Sequence, residues 1–172
     1  MGMCNQACDK SKYEMVREFH KAFDIVMPNR PTPMNIDQVM ARLGFTGEEM
    51  VEIIHATTGN NVDFKKYFDD LIRRLEDAYN KQLQKPYPDN VLTAQVDGFL
   101  DINYFNHGDF TLLGVNPDEP FKIVHNANMG KLYPDGKPRY NDQGKVIKPD
   151  DWIAPEPQLE AEIMRQFEEQ LD

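Results

Sequence analysis

Apolar residues recur along this chain at helical spacing, and the period-2 alternation that marks strands is almost absent. The first amphipathic stretch runs from about Ser11 to Val26, with Met15, Phe19, Ala22, Phe23 and Val26 among its apolar positions. Pro28, Pro31 and Pro33 follow, and proline both removes a backbone donor and pushes its predecessor out of the helical region. A short helix is expected over Ile36–Leu43, closed by Gly44. Thr46-Gly47-Glu48-Glu49 then reads as a capping box opening a second helix that runs to about Ala56. Thr57 to Asn61 read as a turn. A longer amphipathic helix covers about Val62–Gln84 and turns Phe64, Tyr67, Phe68, Leu71, Leu75, Ala78, Tyr79 and Leu83 inward.

The segment Asn90–His107 has a different character. Val91, Leu92, Val96, Phe99, Leu100, Ile102, Tyr104 and Phe105 are spread around nearly its whole circumference, the pattern of a helix buried on most sides. Another helix is expected after Asn116-Pro117-Asp118, carrying Phe121, Ile123, Val124 and Met129. Residues 133–158 are rich in Pro, Gly, Asp and Lys and read as an irregular arm, with a last helix over Leu159–Leu171. The pattern predicts an all-α fold. A helical core spans residues 1–132, and residues 133–172 add an arm and a C-terminal helix to the same domain.

With 172 residues, 40% of them hydrophobic, the chain is long enough for one good core and too short for two ordinary domains. A formal net charge of -10 argues against a basic surface gripping a nucleic-acid polymer. Nucleotide hydrolysis stays open, because a bound divalent metal supplies the positive charge that meets phosphates. Cys4 and Cys8 fit no common zinc spacing and read as free thiols of a reducing compartment. No apolar run approaches the roughly 20 residues of a membrane span, and the N-terminus lacks the apolar stretch of a signal peptide. A cytoplasmic protein is expected.

Acidic residues change the picture further. Glu48 and Glu52 fall about 40° apart on a helix, with His55 beside them and Glu49 flanking the stripe. Taken alone, that is a solvated acidic face suited to a helix N-terminus. Asp97 and Asp101 are harder to dismiss, since they share one stripe of a helix that is apolar nearly all round. Burying such carboxylates uncompensated costs on the order of several kcal/mol per ion. No Lys or Arg lies between Gln95 and Thr111. Either a hard divalent cation meets them, or an arginine from another helix does, such as Arg17, Arg73 or Arg74. Two such acidic helices facing each other would hold magnesium over a polyphosphate, and Glu48 is the candidate base for an attacking water.

Several segments in sequence carry a resemblance. They are Val16–Phe23 with prolines after it, Glu48-Glu-Met-Val-Glu52, Asp97-Gly-Phe-Leu-Asp-Ile-Asn-Tyr104 and Phe121–Lys131, followed by Asp135-Gly-Lys-Pro138 and Gly144–Lys148. Over roughly residues 13–150 the chain resembles the all-α nucleotide pyrophosphatase superfamily, the MazG-like and phosphoribosyl-ATP pyrophosphatase-like proteins. The resemblance implies a MazG-like helical bundle completed by homo-oligomerisation, as a homodimer or a dimer of dimers. It implies hydrolysis of a nucleoside triphosphate between the α- and β-phosphates with Mg²⁺, for which Mn²⁺ can substitute, in house-cleaning or control of nucleotide pools. By that resemblance Glu49, Glu52, Asp97 and Asp101 match metal ligands, and Glu48 matches the extra acid beside them. Asn128 and Lys131 match side chains directed at the phosphates, and His20 matches a position near the base pocket. Ala94 and Gly98 stand where the superfamily often has a further Glu, and the two acidic motifs are further apart than usual. Two other readings remain: a phosphoribosyl-ATP pyrophosphatase, and a non-catalytic nucleotide-binding or interaction protein with a degenerate site.

Lys131, Lys137, Lys145 and Lys148 read either as a flexible basic flap over the phosphates or as the solvated charge of an exposed arm. Trp152 reads as an anchor docking that arm, and His55 and His125 as hydrogen-bonded structural histidines.

Overall fold

A computed structural model describes residues 10–59 and 63–169. Cys4, Cys8, the Asn60-Asn61 end of the expected turn, Val62 and Leu171 lie outside the described residues. Helix α1 (Lys12–Ala22) opens on a reciprocal cap: the Glu14 backbone N–H donates to Ser11 Oγ at 3.2 Å, and the Ser11 N–H donates to the Glu14 carboxylate at 2.8 Å. It stops short of Val26. Phe23 is its C-cap, stacked on Phe19 with ring centroids 4.1 Å apart, and Asp24 then takes a left-handed φ of 55°.

The two helices expected on either side of Gly44 are one helix, α2 (Ile36–Thr58). Asn35 and Gln38 cap its start reciprocally, and Gly59 ends it at φ 56°. The Thr46 capping box does not form; the Thr46 hydroxyl instead donates back to the Arg42 carbonyl. A glycine inside a helix costs only about 1 kcal/mol, and continuing a helix avoids the cost of nucleating another. The correction matters for chemistry. Glu48, Glu49 and Glu52 lie in the middle of a helix, so the helix dipole gives no reason for acid there.

Helix α3 (Phe64–Gln82) is capped by Asp63 and pairs with α2. Its apolar stripe is not buried as expected: Leu75, Tyr79 and Leu83 just beyond it are more than half exposed. Helix α4 (Val91–Leu113) begins where Asn90 accepts from the Thr93 N–H, and it runs six residues past His107. It too overturns an expectation, because none of its residues is buried; Leu100 is 61% and Phe105 67% exposed. An apolar circumference needs cover from several directions, and the described residues do not supply it.

Helix α5 (Asp118–Met129) falls where the pattern placed it. The arm after it is more ordered than expected. Strands β1 (Arg139–Tyr140) and β2 (Val146–Ile147) pair antiparallel, Arg139 opposite Ile147 and Tyr140 opposite Val146. Helix α6 (Glu156–Glu169) starts three residues before Leu159. No described helix is long and apolar enough to cross a membrane.

The chain divides into two compact units. One runs to Asn29 and resumes at Leu100; the other is Arg30–Phe99. In the first, α1 packs on α5 and α5 on α6. Lys12 pairs with Asp118 at 2.9 Å across the first of these contacts. Gln166 on α6 both accepts from the Asn116 N–H and donates to the Asn116 carbonyl, at 2.8 and 2.9 Å. The Tyr140 hydroxyl ties the hairpin to the Phe23 carbonyl at 3.1 Å. Met15, Phe23, Pro120, Pro149 and Gln166 are buried, all in this unit. In the second unit the Gln95 side chain makes the same two-way bond to the Met34 backbone, 2.9 Å each way, but no described residue is buried.

Candidate active site

The acid-bearing positions come first. Glu49 and Glu52 stand three apart on α2, and Asp97 and Asp101 four apart on α4, so each helix offers two carboxylates on neighbouring turns. All four are exposed, as is Glu48. The burial that would have demanded a counter-charge for Asp97 and Asp101 is therefore absent within one chain. The arginines weighed as their partners are committed elsewhere. Arg73 and Arg74 both donate to Asp70 on their own helix, and Arg17 to the Tyr13 hydroxyl at 3.4 Å. Neither Asp97 nor Asp101 forms an ion pair with a described residue. Among the described residues no three His, Cys, Asp or Glu side chains converge as a metal-holding group. The donor chemistry still fits magnesium. That ion is commonly held by one or two carboxylates, with water and phosphate oxygens completing its octahedron.

The residues expected to meet phosphate present a different state. Asn128 lies in the last turn of α5 and Lys131 just past it, and Lys131 Nζ donates to Asn128 Oδ1 at 2.7 Å. That bond turns the Asn128 amide so that its NH₂ is left to donate, making a donor-only pair suited to phosphate oxygens. Both side chains are half-buried. Burial, and after it the neighbouring Lys148 charge, hold the Lys131 ammonium below the ordinary lysine range.

Trp152 anchors the arm here, as its sequence setting suggested. Its indole N–H donates to the Ala127 carbonyl at 2.7 Å, within the turn that carries Asn128. Gly130 leaves room for this contact: a Cβ there would press on the Ala127 carbonyl at 3.3 Å and reach Trp152 at 3.7 Å. The arm is thus docked, and the flexible-flap reading does not describe Lys148, whose Nζ sits 3.9 Å from the centre of the Trp152 ring.

His20 is half-buried on α1, next to Phe19. His125 on α5 points Nε2 at Glu18 on α1, 3.6 Å away, while Lys10 donates to the same carboxylate at 2.6 Å. The Lys10 hydrogen bond, with His125 contributing less, keeps the Glu18 carboxyl below its usual range. His55 is exposed, edge-on to Phe64 with ring centroids 5.3 Å apart. His55 and His125 thus each contact a neighbouring helix.

Sequence reasoning missed Gln95. It lies two residues before Asp97 and fixes the Met34 backbone ahead of α2, so it braces the acid-bearing helices. Its place among Val91, Leu92 and Val96, in the apolar first turns of α4, was the available signal.

No curated protein matches the chain. The chain is similar to a solved structure from Exiguobacterium sp. 255-15, described as a candidate NTP pyrophosphohydrolase, with 37% identity and a TM-score of 0.87. That likeness covers 94% of this chain and 98% of the other. The phosphoribosyl-ATP pyrophosphohydrolase family matches residues 16–128, a stretch that holds the acidic pairs on α2 and α4 and ends on Asn128. The chain belongs to the phosphoribosyl-ATP pyrophosphohydrolase family.

Proposed function

We propose that the chain is a magnesium-dependent nucleoside triphosphate pyrophosphohydrolase, cleaving between the α- and β-phosphates to release a nucleoside monophosphate and pyrophosphate. Hydrolysis of a pyrophosphate bond is the chemistry of its family. The observation that carries the finer reading is the extent of the likeness to the Exiguobacterium protein. Its 94% coverage leaves too few residues to omit the arm, whereas the family match stops before the arm begins. The arm carries Trp152 and Lys148, so the described candidate NTP pyrophosphohydrolase is the better guide to substrate.

In this reading Glu49, Glu52, Asp97 and Asp101 hold the metal, which when bound lends positive charge to the phosphate oxygens. Glu48 takes the proton from the water that attacks the α-phosphorus. The Asn128 amide and the Lys131 ammonium meet phosphate oxygens and neutralise charge on the departing pyrophosphate. His20 lies toward the base. The site is completed by a second copy of the chain, as a homodimer or a dimer of dimers. Supporting this, the unit that carries Glu48, Glu49, Glu52 and Asp97 buries no described residue, and the apolar faces of α3 and α4 lie open. Covering them would also desolvate Asp97 and Asp101, restoring their need for a cation.

The test is a screen of canonical and modified nucleoside triphosphates, with phosphoribosyl-ATP alongside, in Mg²⁺ or Mn²⁺, reading pyrophosphate and orthophosphate separately. Metal-dependent pyrophosphate release from a nucleoside triphosphate is expected. Orthophosphate as the direct product rejects α–β cleavage. Phosphoribosyl-ATP turnover well above every triphosphate, which the family match would favour, replaces the substrate class.

A further inference from the structure

Four of the chain's twelve lysines form ion pairs with described carboxylates: Lys10 with Glu18, Lys12 with Asp118, Lys65 with Asp69 and Lys122 with Glu119. Lys131 and Lys148 are not among them, and what distinguishes the two is that they share one aromatic ring. Both approach the ring of Trp152, Lys148 at 3.9 Å and Lys131 at 6.0 Å from its centre, and neither forms an ion pair with a described carboxylate. Two cations gathered around one indole repel each other, and no described carboxylate pairs with either, in a chain with 29 acids against 19 lysines and arginines.

The arrangement is also built. Lys148 immediately follows β2 and precedes the buried Pro149, so its backbone is set from both sides. Trp152 is tied to the Ala127 carbonyl and Lys131 to Asn128, one turn of the same helix end. A cation–π contact holds an ammonium in place without neutralising it, which leaves its charge available to an anion. Ammonium groups bind phosphate as mobile point charges, and a phosphoanhydride presents several oxygens for two of them to share.

We infer that Lys148 and Lys131, mounted on Trp152, form a two-lysine receptor for the pyrophosphate moiety, both as the β,γ-phosphates of substrate and as free product. The inference rests on the pyrophosphohydrolase reading for its substrate, but the receptor itself is testable with pyrophosphate alone. Lys131 without Lys148 would offer one point of attachment; with it, the anion is held by two ammonium groups in a defined position.

Trp152 is the only tryptophan, so its emission reports on this site directly. The full chain is titrated with sodium pyrophosphate, with and without Mg²⁺, following tryptophan fluorescence and calorimetric heat. Saturable binding is expected. Lys148→Ala should weaken it about tenfold or more, the scale of one charge-assisted contact, with Lys148→Arg restoring part of the loss. Lys85→Ala, at the far end of α3, should leave it unchanged. With a nucleoside triphosphate that the protein turns over, Lys148→Ala should raise KM by a similar factor. Pyrophosphate affinity within twofold of wild type in Lys148→Ala, with an unchanged far-ultraviolet spectrum, overturns the receptor even if turnover is intact. So does a wild-type protein that binds no pyrophosphate. If no triphosphate is hydrolysed but Lys148→Ala still abolishes pyrophosphate binding, the function reading falls and the receptor stands.

Discussion

The two units of this chain are in different states of completion. The unit carrying α1, α5, α6 and the hairpin is closed by its own bonds: Gln166 to the Asn116 backbone, Tyr140 to Phe23, Trp152 to Ala127, and every buried residue that is described. Its side chains expected to meet phosphate are already placed against one another. The Arg30–Phe99 unit has well-capped helices and one bracing glutamine, yet none of its described residues is buried. Its acids are exposed. The fold of the first unit preorganises the Asn128–Lys131 pair, whereas the second presents Glu48, Glu49, Glu52 and Asp97 on open helix faces. Hydrophobic burial is the dominant favourable term in folding and association, so the unit without it is where a second copy has most to contribute.

The sharpest way to break this comparison is to remove one proposed metal-site acid from each unit, Glu52 from the open one and Asp101 from the stretch of α4 that belongs to the closed one. Glu52→Ala and Asp101→Asn should each abolish metal-dependent pyrophosphate release, roughly a thousandfold or more if the metal supplies several kcal/mol of charge stabilisation. Because these side chains are exposed and unpaired in the single chain, the melting temperature without metal should hardly move. Activity unchanged in both variants removes the acidic pairs from the site. Lowered activity together with a collapsed melting temperature would mean that the carboxylates serve the fold.

The next largest effect concerns assembly. Tyr79 projects from α3 at 63% exposure, and a charge there should be tolerated by an isolated chain. If a second copy covers α3, Tyr79→Asp should weaken self-association about thirtyfold or more, the scale of a central aromatic anchor. Sedimentation velocity over a concentration series reads this. A wild-type protein that is monomeric at all concentrations would show that the open half stays open.

These contrasts explain how much could be read from residues alone. Helix α5 and the Trp152 anchor were legible, because local patterning and a lone aromatic in a polar arm carry their own meaning. The fusion of two expected helices into α2 was not, since Gly44 looks like a stop and Thr46-Gly47-Glu48-Glu49 like a new start, and the decision turns on about 1 kcal/mol per glycine. The acid residues were visible as types in Glu48-Glu-Met-Val-Glu52 and at Asp97 and Asp101. Their environment was not, because the apolar circumference of α4 states a need for cover without saying which surface meets it. Lys148 was visible only as one of four lysines; the contact with Trp152 that singles it out spans an arm whose hairpin leaves two-residue strands too short for periodicity to register.

A smaller effect belongs to the closed half. Gln166→Ala should cost about 1–3 kcal/mol, since it strands the Asn116 N–H and carbonyl together. That is a fall of roughly 2–12 °C in Tm for a chain of this size, with kcat unchanged. A comparable fall in Gln95→Ala would show that the open unit relies equally on its bracing amide; a much smaller one would show that the open unit is held elsewhere.

The smallest expected effect is on pH. Glu162 accepts from Arg165 through both Nε and Nη2 at 2.7 Å and from the Gln166 amide at 2.8 Å, and these bonds lower its carboxyl from 4.5 to about 2. A folded value below the unfolded one means that the folded form binds fewer protons between them. The contribution is therefore complete above about pH 4.5 and is lost as pH falls through about 2. Because the Arg165 partner is half exposed and salt-screened, the loss should be slight in strong salt and larger in weak salt. Acid titration of wild type against Glu162→Gln, following helicity at two ionic strengths, isolates it. The curves should separate above pH 4.5 and converge below pH 2. Curves that stay parallel through that window would mean that Gln166 holds Asn116 without help from the carboxylate that positions its amide.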